Sequence, residues 1–172
     1  FGGSNDINAN FSSTFNFYFG TDANPPVGQF DFVSVVLHEL GHGLGFVGFG
    51  SVDTDTSIGD IRFNGISSIY DVFIENGSAN PILSFPDPSI ELGSQLTSAD
   101  LFCNSAIATG QNGDVKPKIY APNPFEGASS YSHWDESTFL PGDINSLMSP
   151  QIGPGEANHN PGPITLGFFE EM

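Results

Sequence analysis

Positive charge is what this sequence has least of. Lysine and arginine together number 3 against 20 aspartates and glutamates, for a formal charge of −17. Binding nucleic acid by neutralising phosphates needs clustered cations, so that class of function is excluded. An anionic membrane surface is disfavoured for the same reason. Cysteine is nearly missing as well. Cys103 stands alone, which rules out a disulfide within the chain, and its apolar neighbours make it a small buried core residue. No apolar run reaches the roughly 20 residues of a membrane span. The chain begins at Phe1 rather than Met, which reads as a processed product. Such acidity suits a secreted protein in an extracellular medium, or carboxylate sites for divalent cations.

What is plentiful is phenylalanine, glycine and proline, at 17, 21 and 13 residues. A hydrophobic content of 38% over 172 residues argues against disorder and for one domain with a core of its own. Alternation in "NDINANF" (5–11) and "FNFYFG" (15–20) predicts two half-buried strands, with Phe15, Phe17 and Phe19 on one face of the second. Residues 20–28, with Pro25 and Pro26, form a loop. Asp31 to Leu44 reads as a helix with Asp31 as N-cap and Gly45 as a left-handed terminator. Its propensity is poor, because Val33, Val35, Val36, Gly41 and Gly43 all disfavour helix, so burial or a bound group must hold it. Farther on, 62–74 predicts a hairpin around Asn64-Gly65, 97–110 a helix with Thr97 and Asp100 as a capping-box variant, and 115–121 a short strand. The remainder, above all 153–163, reads as loop.

Histidine is scarce, at 4 residues, yet two fall within "HELGH", His38-Glu39-Leu40-Gly41-His42. On a helix, residues four apart share a face at about 6 Å, so both imidazoles can point at one ion. Glu39, displaced around the helix, reaches a metal-bound water without coordinating. Zinc lowers the pKa of such a water to about 7 and polarises a carbonyl, and Glu39 would carry the proton to the leaving amine. A catalytic zinc site usually has three protein ligands. The extended motif HExxHxxGF places Gly48 where a closely spaced third histidine would stand, so the third ligand is distant: His133, His159, or a carboxylate such as Glu75 or Glu91.

His133 sits in "SSYSHWDE", about ninety residues beyond His42, and "INSLMSPQ" follows with Met148. In these two blocks, roughly 33–47 and 130–150, the chain resembles the leishmanolysin-like branch of the metzincin metalloproteases. That branch carries HExxHxxGF, a long insertion, an SHW-like third histidine and an LM-small-Pro turn. The resemblance implies an α+β metzincin-like zinc-protease domain, with a small twisted β-sheet packed on the active-site helix and a loop-rich C-terminal subdomain. It implies His38, His42 and His133 as zinc ligands, Glu39 as general base, and Met148 as an apolar floor beneath the metal. The expected organisation is a single catalytic domain: 1–48 for sheet and helix, 49–130 for an insertion with hairpin and helix, and 131–172 for the third ligand and Met-turn. Only 37 residues precede His38, fewer than that family's N-terminal subdomain, so an N-terminal part is expected to be missing.

The function expected is that of a secreted zinc endopeptidase acting on protein or peptide substrate. "FNFYF" could be the sheet edge that pairs with an extended peptide, and His159 could line the cleft. Two alternatives stand beside it: a gluzincin-like peptidase with a carboxylate third ligand, and an inactive zinc-stabilised binding or adhesion module. Asp53, Asp55 and Asp60 offer oxygen ligands of the kind calcium takes, without the register of an EF-hand loop. Asp135 and Glu136 could orient the imidazole of His133 or simply face water.

Overall fold

The element that carries the two motif histidines begins at Asp31. In the structure, a computed structural model that describes Asn5 and residues 7–172, α1 spans Phe32–Gly43. Asp31 caps it: one carboxylate oxygen accepts from Ser34 N and Ser34 Oγ, both at 2.8 Å. At the other end Gly45 adopts φ +119°, a left-handed conformation that a side chain would resist, and turns the chain out of the helix. Both expected boundaries are therefore met. Phe46 then drives its ring into the core, 4.7 Å from Trp134, 5.3 Å from Tyr70 and 5.4 Å from Phe168, in edge-to-face contacts. The end of α1 is thus nailed to the interior by one aromatic side chain, which offsets its weak propensity.

The fold is α+β, with four helices and a few short strands among the described residues. Strands β1 (Phe17–Tyr18) and β2 (Phe30–Asp31) pair in parallel and lead directly into α1. Strands β3 (Ser51–Val52) and β4 (Gly59–Asp60) pair antiparallel, with α2 (Ile90–Leu96) packed on them. The largest sheet has three strands, β5 (Ile74–Asn76), β6 (Leu101–Cys103) and β7 (Lys118–Ile119), all antiparallel with β6 central. Helices α3 (Ala106–Gln111) and α4 (Gly162–Glu171) pack against each other. No helix of the described residues is long and apolar enough to cross a membrane.

Several expected elements differ. Residues 7–11 form no strand, and Asp6 lies outside the described residues. The aromatic strand shrinks to two residues, because Phe15 sits in a turn and only Phe17 and Tyr18 find a partner. The Asn64-Gly65 turn forms, with φ +53° and +80°, but its hairpin is a single bridge between Phe63 and Ile66. The helix expected over 97–110 is instead β6 followed by α3. Leu101 and Cys103 are buried on one face of a central strand, so period two prevails over the helix-like start at Thr97. Ser105, not Thr97, caps the helix, its hydroxyl accepting from Ala108 N at 3.1 Å. The strand expected over 115–121 is present as β7. The helix α4 falls where loop was expected: Pro163 suits a first helical turn, and Ile164, Thr165 and Phe168 face the core.

Candidate metal centre

Three imidazoles converge, and they are those of His38, His42 and His133. Their Nε2 atoms stand 3.0 Å (His38–His42), 3.1 Å (His42–His133) and 3.2 Å (His38–His133) apart. Each Nδ1 is held by a backbone carbonyl: Leu147 for His38 at 2.7 Å, Phe46 for His42 at 2.7 Å, and Ser129 for His133 at 2.6 Å. A carbonyl only accepts, so every Nδ1 carries the hydrogen and every Nε2 presents a lone pair. Three acceptors facing one another with no proton between them call for a cation. An ion about 2.0–2.1 Å from each nitrogen in tetrahedral array needs Nε2 separations of about 3.3 Å, close to what the side chains provide. Burial lowers the pKa of His38, and it pushes His133 down to about 3, with the neighbouring imidazoles adding to the effect. Both therefore stay neutral and able to ligate. This trio is the metal-competent cluster among the described residues.

Each arm of the trio is positioned by a different part of the chain. Helix α1 sets His38 and His42 one turn apart. The Gly45 turn brings the Phe46 carbonyl back to His42. The short 3-10 helix Ser146–Met148 supplies the Leu147 carbonyl, and Met148, fully buried, lies against α1 at Gly41. A Cβ at Gly41 would stand 2.5 Å from the Met148 sulfur, so the helix approaches this turn through a residue with no side chain.

His133 is delivered by a braced turn. Tyr131 has φ +74°, a left-handed backbone that disfavours a bulky side chain. It is held there by Tyr131 N donating to Tyr120 O at 2.7 Å and by Tyr70 OH donating to the Tyr131 carbonyl at 2.6 Å. Its own hydroxyl donates to Asp71 Oδ1 at 2.8 Å. Asp71 is itself buried, and that burial raises its carboxyl pKa while the Tyr131 and Ser68 donors oppose the shift. Next door, Gly48 N donates to Ser132 Oγ at 3.1 Å, and Tyr120 N donates to the His133 carbonyl at 2.9 Å. Trp134 completes the brace, its backbone N–H bonded to the Met148 carbonyl and its indole N–H to Thr165 Oγ1, both at 2.9 Å.

Glu39 is exposed beside the trio and lines the pockets on that side of α1. The other sequence candidates lie elsewhere. His159 Nε2 bonds Asp31 Oδ2 at 2.7 Å, so this histidine secures the cap of α1 rather than joining the cluster. Glu75 pairs with Lys116 and accepts from Asn104, while Glu91 is exposed in the first turn of α2; neither reaches the imidazoles. Asp53, Asp55 and Asp60 are not gathered into a ligand cluster, and Asp53 spends its Oδ1 on the N–H groups of Asp55 and Thr56. Asp135 accepts from Ser137 and Thr138 with the same oxygen, leaving the Ser129 carbonyl to orient His133. Sequence reasoning missed Asp71, Tyr131 and Ser129. The available signal was a pair of glycines, Gly48 and Gly50, whose Cβ atoms would stand 2.2 and 2.4 Å from the Tyr131 ring.

Comparison with known proteins adds one partial likeness. A family model described as SPBPB7E8-like matches residues 3–57, a stretch that holds α1 and ends well before His133. No curated protein and no solved structure matches the chain.

Proposed function

We propose that the protein is a secreted zinc-dependent endopeptidase of metzincin type, of the leishmanolysin-like branch. The observation that carries this reading is the convergence of three imidazole Nε2 atoms beside an exposed carboxylate, Glu39. His38, His42 and His133 would hold the ion, with their Nδ1–H groups spent on carbonyls so that ring rotation and tautomer are fixed. Zinc would supply the Lewis acidity that polarises a peptide carbonyl and makes water a stronger acid. Glu39, one residue past a ligand and not among the converging donors, would take a proton from water and give it to the nitrogen of the leaving amine. Met148 would form the apolar floor. A fourth side-chain ligand, which would close the site as in purely structural zinc centres, is not among the clustered donors of the described residues.

The test is a casein or gelatin assay with zinc quantified on the same samples. Glu39→Gln is expected to abolish hydrolysis and keep the metal, whereas His133→Ala is expected to lose it. Undiminished proteolysis by Glu39→Gln overturns the mechanism, and full metal occupancy in His133→Ala overturns the ligand set. A metal-loaded wild-type protein that cleaves nothing supports the zinc-stabilised binding module instead.

A further inference from the structure

Asparagine followed by glycine occurs three times, at Asn64-Gly65, Asn76-Gly77 and Asn112-Gly113. Such a pair reacts with itself. The glycine backbone nitrogen, once it has lost its proton to base, attacks the Cγ carbonyl of the asparagine, and the glycine has no Cβ to block the approach. The new N–Cγ bond replaces the Cγ–Nδ2 bond, closing a five-membered succinimide, and the amide leaves as ammonia. Water then opens the ring at one carbonyl or the other, giving aspartate, or isoaspartate with the backbone rerouted through Cβ and Cγ. Folding slows this wherever it holds the side-chain amide or the glycine N–H in place.

The fold treats the three pairs differently. At Asn76, Oδ1 accepts from Ser78 N and Asn80 N, both at 3.0 Å, and Nδ2 donates to Gln95 Oε1 at 3.0 Å. The N–H of Gly77 is spent on Asp100, 3.0 Å from its carbonyl oxygen and 3.2 Å from Oδ2. Both reacting groups are tied down there. Asn112 is half-buried, and its Nδ2 donates to the Val115 carbonyl at 2.8 Å. Asn64 has no such restraint. It and Gly65 are exposed at the tip of the hairpin closed by Phe63 and Ile66, and among the described residues no hydrogen bond holds the Asn64 amide or the Gly65 N–H. A Cβ at Gly65 would meet nothing within 4 Å, so the tip stands in open solvent.

We propose that Asn64 is a site of spontaneous modification, deamidating in the native protein to aspartate and isoaspartate while Asn76 and Asn112 are preserved by their bonds. The product changes the tip in two ways. Residues 61–74 hold two charged side chains, Arg62 paired with Asp87 and Asp71 buried. The new carboxylate therefore places an unpaired charge between Phe63 and Ile66, which are 66% and 69% exposed. Isoaspartate also adds a carbon to the backbone of a two-residue turn built on φ +53° and +80°. The reciprocal Phe63–Ile66 hydrogen bonds, at 3.0 and 3.1 Å, then open.

The experiment holds the purified protein in mildly alkaline buffer, native in one arm and unfolded in urea in the other. Peptide mapping by mass spectrometry follows the unit mass gain at each of the three asparagines. In the native arm Asn64 is expected to convert about tenfold faster than Asn76 and Asn112. In urea the three rates should converge, because the bonds that separate them are gone. Asn64→Gln should remove the fast native conversion and leave the other two positions as they were. Equal native rates at the three positions, or an Asn64 that converts in urea and not in the native protein, each overturn the proposal.

Discussion

The ring of Tyr131 occupies the space in which a side chain at Gly48 would have to stand. A Cβ on Gly48 would lie 2.2 Å from Tyr131 Cε1 and 2.8 Å from Asp71 Oδ1. The two residues are 83 positions apart, and their fit ties the end of the HExxHxxGF segment to the turn that delivers His133.

Gly48→Ala therefore collides with a buried ring that Asp71 pins by its hydroxyl. Overpacking of this kind costs about 1–3 kcal/mol, and the expected outcome is a lower melting temperature together with weaker zinc binding in a chelator competition. Gly48→His is expected to lose more of both, because an imidazole there cannot stand without expelling Tyr131. Unchanged zinc affinity in both variants would sink this account of the turn.

Tyr131→Phe keeps the ring in its slot and removes the hydroxyl that donates to Asp71. Asp71 then loses its strongest side-chain donor inside the core, at a cost of about 1–3 kcal/mol. Thermal unfolding of Tyr131→Phe, Asp71→Ala and the double variant checks this. The losses should fall short of additive, because both single changes break the same bond.

At Gly41 the helix gains about 1 kcal/mol of propensity on substitution by alanine, yet the new methyl meets the Met148 sulfur at 2.5 Å. Met148 is fully buried and has little room to yield. Gly41→Ala is expected to destabilise the wild type and to do so much less in a Met148→Ala background, a coupling of about 0.5–3 kcal/mol. Urea unfolding of the four proteins of this cycle reads it directly.

Cys103 makes the pH-dependent case. Burial pushes its thiol from 9.0 up to about 12, so the folded protein holds the proton where an unfolded chain releases it. The folded value is the raised one. Its contribution to stability is therefore complete below pH 9.0 and declines as pH climbs towards about 12. At pH 8 an alkylating reagent should leave the native thiol untouched and modify it only on unfolding. Rapid labelling of the native protein would contradict the burial.

Much of the centre was legible in the sequence because its signals are local. A cap at Asp31, a left-handed glycine at Gly45 and two histidines one turn apart lie within fifteen residues, and the helix follows them. What was illegible depends on distance or competition. Thr97 and Asp100 look like a helix start, but Leu101 and Cys103 gain more by filling a central strand. Gly162 and Pro163 look like loop punctuation, and only the core they face makes them the start of α4. The union of Tyr131 with Asp71, and of His159 with Asp31, joins residues 60 and 128 positions apart, and no local pattern announces either.

The chain has one tryptophan, and it follows His133 directly. Trp134 is wholly enclosed, stacked edgewise on Phe46 and tied to the Met148 carbonyl and to Thr165. Its ultraviolet emission therefore comes from a single address, next to the most distant arm of the centre and in touch with Phe46, which anchors the chain just past the end of α1. The protein carries its own dye: a change in that emission when metal is withdrawn, before any loss of helix, would report the brace letting go.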